Sequence, residues 1–61
     1  MSDDPIFAGP ALRRLRKREG LTQAAMAQRL DISPSYLNLI ERNQRPLTAR
    51  VIVQAIDAFD F

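Results

Sequence analysis

The side chains with most to offer chemically lie between Thr22 and Thr48. Ser33, Pro34, Ser35, Tyr36, Asn38 and Leu39 are packed into one short stretch, with Gln23 ahead of them. Arg42, Asn43, Gln44 and Arg45 follow in one run. Hydroxyls and carboxamides both donate and accept hydrogen bonds, and arginine adds a fork of N–H donors. These groups do not break bonds unaided. The 61 residues contain no histidine and no cysteine, so Ser33 and Ser35 have no imidazole base, and no thiol or imidazole exists to hold a metal. There is no Gly-rich phosphate loop and no pair of acids on one helix face. The inventory suits recognition of a polar, anionic surface. Neither an enzyme nor a metal or other cofactor is expected.

The charge distribution points the same way. The formal net charge is only +2, but Asp3, Asp4, Asp57 and Asp60 all stand near the two ends. Residues 5–56 carry all nine Lys and Arg against Glu19, Asp31 and Glu41, a balance of +6. A basic body of this kind attracts a polyanion.

The elements that must position these groups are helical. A domain of this size buries only about 60% of its unfolded surface. Without disulfides or metals, its stability must come from tight helix packing, an oligomer or further chain. No apolar run approaches the roughly 20 residues of a membrane span. The start, Met1-Ser2-Asp3-Asp4, is acidic where a signal peptide is basic. A reducing, cytoplasmic, nucleoid-associated location is the expectation.

Gly9-Pro10 opens a first helix, Ala11 to Glu19, and Gly20 stands where helices turn left-handed to stop. Leu12 and Leu15 face inward, Leu21 continues the core, and Ile6 and Phe7 are expected to pack back on the body. Thr22 caps a second helix, Gln23 to Leu30, whose buried face is Met26, Ala27 and Leu30. Asp31 takes the turn in a conformation that Asp tolerates, and Ile32 plugs the corner. Ser33 caps and Pro34 starts a third helix, running to about Arg42, with Leu37 and Ile40 inward and Tyr36 half-buried. Asn43-Gln44-Arg45-Pro46 is a loop in which Pro46 keeps Arg45 extended. Thr48 caps a fourth helix, about Ala49 to Phe59, with Val51, Ile52, Ala55, Ile56 and Phe59 as its apolar stripe. The fold class is all-α, a small bundle of four to five helices forming one domain over residues 1–61. The apolar ending at Phe59 and Phe61 predicts either a truncated chain or the start of a further helix that is cut off.

Two short helices joined by a tight turn, with small Ala27 at the crossing, make a helix-turn-helix unit at about residues 23–42. A plain helical hairpin has the same pattern. The outward face of the third helix separates the two. Pro34, Ser35, Asn38, Leu39 and Arg42 form a short polar face without the Glu and Lys pairs of an ordinary solvated helix. Ser and Asn hydrogen-bond base edges, and apolar atoms of Pro34 and Leu39 can touch a thymine methyl. With Ser33 and Tyr36, they are the base-reading candidates at the end of the helix that enters a major groove. Thr22, Gln23, Arg42, Asn43, Gln44, Arg45 and Thr48 are the phosphate-binding candidates, supplying helix N-termini, amides and cations. Taken singly, each also reads as a solvated loop or cap residue. Their placement on one side favours double-stranded DNA.

Gly20-Leu21-Thr22-Gln23, Ala27, Ile32-Ser33-Pro34-Ser35-Tyr36-Leu37 and Ile40-Glu41-Arg42-Asn43 together resemble the phage-repressor/Cro-like family, also called the xenobiotic-response-element (XRE) family. The resemblance covers about residues 10–60. It implies a lambda-repressor-like bundle of five helices, with the third reading an operator and the protein binding as a homodimer. It also implies that Gln23 contacts a phosphate, that Pro34, Ser35 and Asn38 occupy base-reading positions beside Leu39, and that Asn43 and Arg45 meet the backbone. Glu41 matches an acid that pairs with an arginine of the first helix, here Arg16, as a structural ion pair. Asp31 replaces a commoner glycine, Pro34 replaces a common glutamine so that the usual adenine contact is lost, and the fifth helix is missing. The run Ser33 to Thr48 is also similar to a bacterial subgroup that joins this domain to a large C-terminal region sensing short-chain fatty acyl metabolites. Any effector-binding region would then lie outside this chain.

Two other readings compete. A helical protein-interaction module of this fold should carry acids or a large apolar patch on the third helix, and only Leu39 answers to that. A membrane-surface role for Arg13-Arg14-Leu15-Arg16-Lys17-Arg18 needs a broad apolar face, and the narrow one present is required by the core.

Overall fold

Among the described residues, hydroxyl caps start three of the four helices, and left-handed residues stop the first three. The computed structural model describes residues 7–59, which form α1 (Gly9–Arg18), α2 (Gln23–Leu30), α3 (Pro34–Glu41) and α4 (Ala49–Ala58). The expected packing of Ile6 and the ending at Phe61 lie outside the described residues. Thr22 Oγ1 accepts from the Ala25 N–H at 3.1 Å, Ser33 Oγ from Tyr36 at 3.1 Å and Thr48 Oγ1 from Val51 at 3.3 Å. Each bond satisfies one of the first-turn N–H groups that have no partner within their helix.

At the other ends, Gly20 (φ 68°), Asp31 (φ 59°) and Asn43 (φ 59°) are left-handed. Behind them, the N–H of Leu21 reaches the Arg16 carbonyl, Ile32 reaches Ala27, and Gln44 reaches Leu39. This is the paired-bond stop that uses up the last carbonyls of a helix. Gly20 and Asp31 stand as the sequence reading expects. Asn43, read there as an ordinary loop residue, is a third helix stop.

α3 packs against both α1 and α2, and α2 packs against α4. The core is Leu12, Leu15, Met26, Ala27, Leu30, Leu37, Ile40, Leu47, Val51, Ala55 and Phe59. Ala27 is fully buried, as a small residue at a helix crossing must be. Burial of a Leu or Ile side chain contributes about 1.5–3 kcal/mol, so this cluster carries the fold.

Three details differ from the sequence reading. α1 begins at Gly9 and stops at Arg18, two residues and one residue earlier than expected. Phe7 does not pack back on the body but is 51% exposed. Ile56 is also exposed, at 54%. The row Val51, Ala55, Phe59 steps by four along α4 and holds the core, while Ile56 lies about 100° around from Ala55.

α1 meets α3 end to end. Gly9 is buried, and a Cβ placed on it would collide with the Ile40 carbonyl oxygen and lie 2.8 Å from that of Glu41. The positive end of α1 therefore sits on the negative carbonyl end of α3.

Candidate nucleic-acid interface

Where α1, α2 and α3 converge, four side chains form one hydrogen-bonded chain. Arg16 Nε donates to Glu41 Oε2 at 2.7 Å and Arg16 Nη2 to Oε1 at 3.0 Å, a bidentate pair. Arg16 Nη1 also donates to the Leu21 carbonyl at 3.1 Å. The Glu41 side chain is only 2% exposed and that of Arg16 14%. The hydrogen bond to Glu41 raises the Arg16 pKa above the ordinary arginine range; burial opposes this and Coulomb attraction reinforces it. The pair expected between Arg16 and Glu41 is thus present, and it continues outward. Gln23 Nε2 donates to Glu41 Oε1 and to Asn38 Oδ1, each at 3.2 Å.

This chain floors an open cleft of about 310 Å³ lined by Arg13, Arg16, Gln23, Asn38, Glu41 and Arg42. A second depression beside it, lined by Pro10, Arg13, Arg14, Lys17 and Glu41, shares Arg13 and Glu41. Among the described residues, Arg13, Arg14, Lys17, Arg42 and Arg45 make no salt bridge, whereas Arg18 and Arg50 pair with Glu19 and Asp31. The surface is therefore cationic at its rim, and its one carboxylate is neutralised by Arg16.

The sequence candidates separate into groups. Pro34 and Ser35 are exposed at the start of α3, and Asn38 and Leu39 are half-buried on its next turn. Tyr36 is half-buried against the core, as expected. Ser33, Thr22 and Thr48 have their hydroxyl oxygens occupied by capping. Arg42, Gln44 and Arg45 are exposed. Gln23 and Asn43 also make contacts within the fold that the sequence reading did not include. Both hydrogens of the Gln23 carboxamide turn inward, which leaves its side-chain oxygen and the backbone N–H groups at the start of α2. The Asn43 carboxamide oxygen accepts from the Gly9 N–H at 2.9 Å, capping α1 from 34 residues away. Arg13 was not singled out by sequence reasoning for this surface. Its only signal there was its position three residues before Arg16, on the same side of one helix.

Such a surface can hydrogen-bond and attract anions. No group of three or more metal-ligating side chains occurs among the described residues, and no described helix is long and apolar enough to cross a membrane.

Comparison with known proteins fits this geometry. The family model described as a helix-turn-helix domain matches residues 8–61. The HTH-type transcriptional regulator PrpR of Mycobacterium tuberculosis is 50% identical over 54 residues, 88% of this chain and 11% of that protein. The HTH-type transcriptional regulator RamB of the same species is 49% identical over 53 residues, 87% of this chain and 11% of that protein. A propionyl-CoA carboxylase regulator of Cereibacter sphaeroides is 44% identical over 54 residues, 88% of this chain and 12% of that protein. The chain thus spans about a tenth of the length of these relatives. No solved structure is significantly similar to it. With a matching family model over nearly its whole length and α2 and α3 joined by a tight turn, this chain belongs to the helix-turn-helix domain family.

Proposed function

We propose that this chain is the sequence-specific DNA-binding domain of a transcriptional regulator, with α3 reading the major groove of an operator half-site. The observation that carries the reading is a shared cleft: Asn38, one turn after the exposed Pro34 and Ser35 on α3, lines it together with Arg13 and Arg42, which make no salt bridge among the described residues. Cations and helix N-termini would grip phosphates and set register, while the exposed start of α3 reads bases. Ser33, Tyr36 and Leu39 flank the reading positions. Thr22, Gln23, Gln44, Arg45 and Thr48 flank the phosphate path, Gln23 through its backbone.

The names of the relatives support the regulatory role. The domain acts without chemistry of its own, in the cytoplasm, as a homodimer whose half-sites are spaced by about one helical turn, ~10 base pairs. An effector-binding region would lie in the part of a longer protein that the relatives have and this chain does not span.

Selection of bound duplexes from a random pool tests the reading. A selected duplex should bind more tightly than a random one, with log affinity falling linearly against log salt. Equal affinity for both, without a salt slope, would overturn it.

A further inference from the structure

The chain of hydrogen bonds under the cleft has a direction, and that direction decides what Asn38 can read. We propose that Asn38 is a donor-only reader, set in that state by the positioning residue Gln23, and that it recognises a base edge offering acceptors, as guanine does with O6 and N7. This deepens, and rests on, the reading of α3 as the recognition helix.

The polarity starts at Glu41. Its carboxylate, paired with Arg16, only accepts hydrogen bonds. The Gln23 atom facing Glu41 Oε1 must therefore be the nitrogen. That nitrogen has two hydrogens. One goes to Glu41, and the other points to Asn38, 3.2 Å away. The Asn38 atom that receives it must be the carbonyl oxygen. Turning either carboxamide over would set donor against donor or oxygen against carboxylate. One buried ion pair thus fixes two side-chain orientations.

What remains on the cleft side is the opposite end of each amide. Asn38 Nδ2 has no partner among the described residues, yet no buried side-chain nitrogen or oxygen there lacks one, so Nδ2 is open to solvent. An unconstrained asparagine pairs with adenine by accepting from N6 and donating to N7. Here Oδ1 is turned to α2, and the groove is offered two N–H donors. Guanine satisfies both, whereas adenine offers one acceptor and one mismatched donor.

The test uses the 61-residue chain and a duplex selected by it. Each base pair of the half-site is varied, and binding is measured for the parent chain, Asn38→Asp and Gln23→Ala. The parent should prefer guanine over adenine by roughly tenfold at one base pair, the scale of one bidentate contact. Replacing that guanine by 7-deazaguanine should cost roughly tenfold in the parent chain, where folding is not in question. Asn38→Asp keeps an oxygen toward Gln23 and shows an acceptor to the groove, so preference at that pair should move to a base with a donor edge, such as cytosine. Gln23→Ala frees the carboxamide to turn over, and guanine should lose its advantage over adenine. A merely structural Gln23 would lower affinity for all duplexes together and leave that ratio intact, which overturns the proposal. So does adenine as the parent's preferred base at the pair that responds to Asn38→Asp, or the absence of any responding pair on a duplex that is bound specifically. Failure to bind any selected duplex above random DNA would instead bring down the DNA reading itself, and this inference with it.

Discussion

The N–H of Gly9 donates to Oδ1 of Asn43 at 2.9 Å, tying the start of α1 to the left-handed residue that ends α3. Three requirements meet at this junction. α1 lacks a capping side chain on its own N-cap residue, Ala8, and borrows one from Asn43. Asn43 in turn must tolerate a positive φ. Gly9 must have no side chain, because the α3 backbone fills the space where one would be.

Gly9→Ala should therefore lower stability although alanine is the better helix former. The clash is with backbone oxygens that cannot rotate away, and overpacking of this kind costs about 1–3 kcal/mol. The helix-propensity gain of up to about 1 kcal/mol only partly offsets it. A midpoint in denaturant equal to or above that of the parent chain would show that α1 and α3 do not meet closely.

Asn43 should respond differently to two substitutions. Asn43→Gly keeps the left-handed backbone and loses only the cap, a cost of about 1 kcal/mol. Asn43→Ala loses the cap and adds a left-handed alanine, costing roughly 1–2 kcal/mol more. Thermal unfolding of both variants checks the order. If alanine were tolerated as well as glycine, the conformation at residue 43 would not be the constraint.

Glu41→Gln should destabilise by about 3 kcal/mol, the low end for breaking a buried pair, since Arg16 keeps some exposure. The loss in stability should exceed the loss in DNA affinity, because the glutamine oxygen can still accept from Gln23. The pH dependence follows from the sign of the Arg16 shift. A raised pKa stabilises fully at every pH below the ordinary arginine range and fades only as pH rises through the shifted value. The contribution of Arg16 should accordingly be flat from about pH 7 to about pH 10. Unchanged melting of the variant would mean that the pair does no structural work.

Removing cations should act on all duplexes alike. Arg45→Ala and Arg13→Ala should each weaken specific and random DNA about equally and reduce the salt slope by about 1. Asn38→Ala should instead relax one base pair, by about 1–3 kcal/mol. Binding isotherms at several salt concentrations distinguish the two behaviours. Identical effects from Arg45→Ala and Asn38→Ala would refute the division between grip and reading.

The sequence by itself determined the four helices, three of their caps and two of their stops. Thr22, Ser33 and Thr48 each bond an N–H three residues ahead, and Gly20 and Asp31 set their own backbone angles. Those interactions are complete within one turn of chain, so residue type and order suffice to reveal them. The inward rows through Leu12, Met26, Leu37 and Val51 were legible for the same reason, as helical periodicity.

Tertiary structure decided how the polar residues are used. The amide hydrogens of Gln23 serve Glu41 and Asn38, 18 and 15 residues away, which its place at the start of α2 did not reveal. The side-chain oxygen of Asn43 caps α1, 34 residues away, which its place after α3 did not reveal. Arg13 joins the cleft only because α1 packs against α3. A carboxamide can donate or accept in many places at nearly equal energy, so its type leaves its partner open. The partner is chosen when packing of the apolar faces brings helices distant in sequence to within hydrogen-bonding reach.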